Sequence, residues 1–140
     1  MIRINIGVDI GGNHTGIGIV DENGKIVKLQ ILDYENHKIE IDMIFDFINH
    51  FIAQNYEYEI KSIGIGIPGI VKGSEILYTC NIPIGKINIH DYIKSTVPIY
   101  LSNDVNCATI AEYEVIDHKF YSNYALIAVG TRNRCRHHHK

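Results

Sequence analysis

The sequence predicts an α/β fold built on a mixed sheet with helices packed on its faces. Three observations carry this. The first third of the chain alternates apolar and polar residues in three successive stretches separated by turns, the pattern of an antiparallel meander. One stretch with apolar residues three and four apart follows, the pattern of an amphipathic helix. Beyond it, short apolar runs alternate with helical spacing, and a meander that gives way to βα alternation argues for a mixed sheet.

The elements follow in order. Ile2, Ile4, Ile6 and Val8 alternate with Arg3, Asn5 and Gly7, so the first strand has one apolar face. Gly11-Gly12-Asn13 turns the chain into a second strand over 15–20, where Ile17 and Ile19 are separated by Gly16 and Gly18. Asp21-Glu22-Asn23-Gly24 reads as a hairpin turn, with Asn-Gly supplying the left-handed positions, and residues 25–32 return as the third strand. Ile41, Ile44, Phe45, Ile48, Phe51 and Ile52 share one helical face, which predicts a helix over 39–54. A short strand is expected at 62–67, ending at Pro68-Gly69. Residues 70–88 read as loop with a short strand at 75–78, residues 89–95 as a short helix, and 99–101 as a strand. Residues 104–115 read as a helix with Ala108, Ala111 and Val115 on one side, and 124–129 as a last strand. No internal repeat, linker or domain boundary interrupts the chain.

Composition bounds the function. The chain has 140 residues, the length of one domain. A formal net charge of −3 argues against an electrostatic nucleic-acid footprint. No apolar run approaches the roughly 20 residues that span a bilayer, and the N-terminus breaks into Gly and Asp too early for a signal peptide. The 28 Ile and 12 Asn against 5 Ala follow AT-rich codons and are read as genome bias. Cys80, Cys107 and Cys135 form no CxxC and no disulfide framework, which fits a reducing cytoplasm.

Three segments could carry chemistry. In Asp9-Ile10-Gly11-Gly12-Asn13-His14-Thr15 a strand ends in an acid, and two glycines turn the chain into the next strand. Glycines let backbone N–H groups approach a phosphate closely, and a nearby carboxylate can hold hydrated Mg²⁺. The same residues also suit a plain tight turn. In Leu101-Ser102-Asn103-Asp104 a strand leads into a helix. A carboxylate there can take a proton from an attacking hydroxyl that Asn103 orients. Ser102, Asn103 and Asp104 are equally good helix caps. Gly64-Ile65-Gly66-Ile67-Pro68-Gly69 matches GxGxxG, but Pro68 and Val71-Lys72-Gly73 make a poor helix start, so a dinucleotide reading fails. A Pro-Gly turn near a ligand and a purely structural turn both remain open. No P-loop occurs. His14, His37, His50, His90 and His118 have no metal-ligand spacing, and His137-His138-His139 lies in a terminal basic tail.

Taken in order, these segments resemble the N-terminal half of the ROK sugar kinases, from about Ile4 to Thr131. Ile6 to Gly12 is similar to the family's first phosphate motif. Gly64 to Val71 resembles its sugar-side Pro-Gly loop, Asn81-Ile82-Pro83 its following Asn segment, and Ser102 to Ala108 with Ala111-Glu112 its Asn-Asp block. Val129-Gly130-Thr131 stands where a second phosphate motif begins. The resemblance implies an actin-like (ribonuclease-H-like) N-terminal lobe with a five-stranded mixed sheet and helices on both faces. It implies transfer of the ATP γ-phosphoryl to the hydroxyl of a hexose or N-acetylhexosamine, with Mg²⁺. Asp104 would be the general base, and Gly69, Asn81 and Asn103 would contact the sugar. Asp9, Gly11, Gly12, Asn13, Gly130 and Thr131 would face the phosphates, with Asp9 holding Mg²⁺ through water.

Asn13 stands where the family usually has Thr, and His14 where Lys is common. After Thr131 the chain reads Arg132-Asn133-Arg134-Cys135-Arg136-His137-His138-His139-Lys140 in place of a Gly-rich run. If Arg132 is coded AGG, Asn133 AAT and Arg134 AGG, a shift of one nucleotide would convert this tail into the family's second phosphate motif, the alternative being a genuine, unrelated basic tail. Residues 1–131 are therefore read as the lobe and 132–140 as an out-of-frame tail. On this reading the second lobe is missing, and with it the family's zinc site and adenosine pocket. The isolated chain would be inactive as a kinase and could self-associate into a homodimer through the face left exposed. A non-catalytic sugar-binding lobe and a fragment of a sugar-responsive repressor are the alternatives. The repressors carry a helix-turn-helix ahead of the lobe, and this chain opens directly on a strand.

Overall fold

The computed structural model describes residues 1–34 and 38–103. The meander forms as its periodicity dictates, with β1 (Ile2–Ile10), β2 (His14–Asp21) and β3 (Ile26–Asp33). Helix α1 (Ile41–Gln54) follows, then β4 (Tyr58–Ile67). A small excursion comes next: β5 (Gly69–Lys72), β6 (Glu75–Thr79), β7 (Ile87–Asn88) and a 3-10 turn at Ile89–Asp91. Strand β8 (Ile99–Asn103) completes the described elements.

The main sheet has five strands in the order β3-β2-β1-β4-β8. β1 pairs antiparallel with β2, and β2 with β3. β4 runs parallel to β1, and β8 parallel to β4. The expected five-stranded mixed sheet is therefore present, in the actin-like order that puts the first strand at the centre.

Strand alternation decides the two faces. Ile4, Ile6, Val8 and Ile10 of β1 stand beside Ile17 and Ile19 of β2 and Ile63 and Ile65 of β4, all buried. Ile44, Phe45, Ile48 and Phe51 of α1 join them in one core. The opposite face carries Asn5, Gly7 and Asp9 on β1, Gly16 and Gly18 on β2, and Gly64 and Gly66 on β4. The predicted helix over 104–115 and strand over 124–129 lie outside the described residues.

Two local expectations are corrected. Residues 70–88 are not mainly loop, because Gly73 at φ 60° turns β5 back onto β6 and β7 adds a third strand. The short helix expected over 89–95 is cut to a 3-10 turn. Asn88 caps it by accepting from the His90 N–H, and the Lys94 N–H then leaves the helical path to donate to Asn49 Oδ1 at 3.0 Å. Asn49 also donates to the Tyr92 carbonyl at 2.8 Å, and the Phe45 and Tyr92 rings lie 4.9 Å apart, so α1 holds this segment. Cys80 is disulfide-bonded, where the sequence spacing offered no disulfide framework. Its position at the buried end of the β5–β6 hairpin removes it from solvent.

Candidate functional site

In a sheet with parallel strands, ligand sites form at the strands' carboxyl ends. Here β1, β4 and β8 end at Ile10, Ile67 and Asn103, on the same edge of the sheet. The described residues singled out by sequence gather along that edge.

Asp9 lies one residue before the end of β1. It is 1% exposed, and its cross-strand neighbours are Gly16 and Gly66, which have no side chains to crowd it. The turn that follows is closed by the Gly11 N–H donating to the His14 carbonyl at 2.9 Å. That bond occupies the Gly11 donor and leaves Gly12 and Asn13, both exposed, as the turn's outward residues. Gly12 does not have the left-handed φ that favours glycine, and a Cβ added there would make only ordinary contact with Asn81, 3.7 Å from its Cβ. Neither conformation nor packing within the described chain demands a glycine at this position.

Asn81 is the neighbour of this turn. It is exposed and has φ 58°, a left-handed conformation that Asn tolerates better than most residues. Thr79 Oγ1 fixes the loop around it by donating toward the Ile82 and Ile84 carbonyls at 3.1 and 2.6 Å. The Cys80 N–H donates to the Pro68 carbonyl at 3.1 Å and ties the same loop to the end of β4.

Gly69 and Asn103 are joined directly. Asn103 Nδ2 donates to the Gly69 carbonyl at 2.5 Å. Gly69 is glycine for a packing reason, because a Cβ there would sit 2.0 Å from the Tyr78 carbonyl oxygen. Gly64 and Gly66 lie inside β4 and Gly69 opens β5, so the GxGxxG run starts no helix, as expected.

The structure thus brings Asp9, Gly11, Gly12, Asn13 and Asn81 to one part of the edge, and Gly69 with Asn103 to another. Asp104, Gly130 and Thr131 lie outside the described residues. Tyr34, which the sequence reading passed over, packs under the turn. Its hydroxyl and Thr15 Oγ1 are 2.7 Å apart and buried. Burial pushes its phenol pKa up, the Thr15 hydrogen bond opposes the rise, and the charge of Asp9 adds to it.

Mg²⁺ is commonly held by one or two carboxylates, with water and phosphate oxygens completing the shell. Asp9 would supply such a carboxylate, and the described residues contain no cluster of three metal-ligating side chains that would make a closed cage. No helix among the described residues is long and apolar enough to cross a membrane.

Comparison with known proteins bears on the family and the fold. The chain is 31% identical over 137 residues to a glucokinase from Streptomyces coelicolor, which covers 91% of this chain and 41% of that enzyme. It is 29% identical over 134 residues to the xylose repressor of Bacillus subtilis, covering 91% of this chain and 35% of the repressor. The chain thus spans about two-fifths or less of these relatives. A crystal structure of a ROK family glucokinase from Streptomyces griseus with glucose and AMPPNP superposes with a TM-score of 0.66 at 29% identity, over 84% of this chain and 36% of that one. A ROK family transcriptional regulator shares the fold with a TM-score of 0.68 at 17% identity. Repressors and kinases thus both stand among the similar proteins. The profile described as ROK family spans residues 5–132, and the chain belongs to that family.

Proposed function

We propose that this chain supplies the nucleotide- and sugar-facing lobe of an ATP-dependent hexose kinase. Phosphoryl transfer asks for positioning and charge neutralisation more than covalent chemistry from the protein. Gly12 and Asn13 would offer backbone N–H groups to the phosphates, and Asp9 would hold hydrated Mg²⁺. The metal would neutralise charge on the transferring phosphoryl group. Gly69, Asn81 and Asn103 would orient the hexose or N-acetylhexosamine. Asp104, next in sequence to Asn103, would accept the proton of the attacking hydroxyl, with Gly130 and Thr131 joining the phosphate side.

The observation that carries this reading is that the Gly12 turn lies beside the Asn81 loop and next to buried Asp9. This sets a turn suited to phosphate against a loop tied to the Pro68-Gly69 segment. An exposed glycine that the described residues do not themselves require is explained by a ligand that approaches the backbone closely.

The family's regulators favour a second reading, a lobe that senses sugar without nucleotide chemistry. Calorimetric titration with glucose, N-acetylglucosamine and magnesium ATP separates the two. Binding of both sugar and nucleotide supports the kinase lobe. Sugar binding without nucleotide binding supports the sensor, and absence of both overturns the assignment. The isolated chain is expected to show negligible turnover, and turnover abolished by Asp104→Asn would contradict that expectation.

A further inference from the structure

Tyr34 follows β3 directly and holds the glycine turn at two points. Its N–H donates to the Asn13 carbonyl at 3.1 Å, and its hydroxyl meets Thr15 Oγ1 at 2.7 Å. Asn13 is on the outward side of the turn, and Thr15 is the second residue of the strand leaving it. One residue just past the third strand therefore fixes both the carbonyl of the turn and the start of β2.

Tyr34 and Thr15 are both buried. The hydroxyl pair is shielded from water, so losing one member leaves the other buried without that partner. The grip also acts where the turn has little else to define it. Within the turn, the Gly11 to His14 bond closes the backbone, while Gly12 and Asn13 face solvent. The plane of the Asn13 carbonyl carries the His14 N–H, so fixing it anchors the end of the turn and leaves only the dihedrals of Gly12 and Asn13 to aim their own N–H groups.

We propose that Tyr34 is a positioning residue that holds the Gly11–Gly12–Asn13 turn in the shape that receives a polyphosphate. This rests on the reading of that turn as a phosphate site. Tyr34 touches no ligand in this role. It acts through Asn13 and Thr15, and the preformed turn spares the ligand the entropy of ordering it.

The test uses Tyr34→Phe in the full 140-residue chain, followed by amide hydrogen exchange and titration with magnesium ATP and with glucose. Exchange at Gly11 and Tyr34 is expected to speed up about tenfold, with Ile6 and Val8 unchanged. Magnesium ATP should bind about fivefold more weakly, with glucose affinity unchanged. Thr15→Val removes the same hydrogen bond from the other side and should reproduce both effects, and Thr15→Ser should restore them. A uniform rise in exchange with unaltered magnesium ATP affinity would make Tyr34 a stability residue only and overturn the proposal. If the unsubstituted chain shows no response to magnesium ATP at Gly12 and Asn13, the phosphate reading fails and takes this proposal with it. The two failures are distinguishable, because in the first the unsubstituted chain still binds the nucleotide.

Discussion

Asn103 donates a side-chain hydrogen bond to the carbonyl of Gly69, joining the end of β8 to the first residue of β5 across 34 positions of sequence. The bond closes the carboxyl edge of the sheet against the small β5-β6-β7 sheet. Replacing Asn103 by Ala removes the donor and should cost about 0.5–1.5 kcal/mol, read by urea denaturation. Asn103→Asp should cost more at neutral pH, because a carboxylate then faces a carbonyl. The added cost should shrink on acidification, since a protonated Asp can donate. Equal stability of the Ala and Asp variants across pH would contradict the geometry.

Gly69 and Gly12 are glycines for different reasons, and alanine separates them. Gly69→Ala drives a Cβ against the Tyr78 carbonyl and must part β5 from β6, at a cost of about 1–3 kcal/mol. Gly12→Ala meets only ordinary contact and should change stability by less than about 0.5 kcal/mol. It should still weaken magnesium ATP binding. Thermal unfolding and calorimetry on the two variants check both halves of this contrast.

Asn81 is held at φ 58°. Asn81→Gly should be neutral or slightly stabilising, because glycine adopts this conformation without a Cβ penalty. Asn81→Ala should cost about 1 kcal/mol. Sugar affinity should fall in both variants if the amide contacts the ligand. Unfolding curves and sugar titrations of the pair distinguish backbone strain from recognition.

Tyr34 gives a pH dependence with a definite sign. Its phenol pKa is raised in the folded chain, chiefly by burial. The folded state therefore keeps its proton to higher pH than the unfolded state does. The stabilisation is complete below the unfolded value of about 10 and is lost as pH rises from there through the folded value. Melting temperature should fall above about pH 10 in the unsubstituted chain, and less steeply in Tyr34→Phe. Parallel curves for the two proteins would remove Tyr34 as the cause.

The central elements were legible because their periodicity is strong. Apolar residues alternate along β1 and β2 and share one face of α1, so Ile4 to Ile10 and Ile44 to Phe51 announce their own packing. The start of β4 was missed although Tyr58 and Ile60 alternate with Glu59 and Lys61. Of the small sheet, β6 was expected at 75–78, while β5 and β7 were missed because they are 4 and 2 residues long, too short for alternation to stand out. The end of the 3-10 turn was decided by Asn49, a residue 45 positions before Lys94, which no local pattern reports. At the site, Asp9, Gly12, Asn81, Gly69 and Asn103 could be named from sequence. That Gly69 contacts Asn103 and that Gly12 lies beside Asn81 could not, since both depend on how the small sheet folds back. Tyr34 carried no motif at all.

The most direct test is a residue-resolved NMR titration of the ¹⁵N-labelled chain with magnesium AMPPNP and, separately, glucose. The account predicts that the nucleotide perturbs Gly12 and Asn13 first, and that glucose perturbs Gly69, Asn81 and Asn103. Perturbations confined to other surfaces, or none at millimolar ligand, would contradict it.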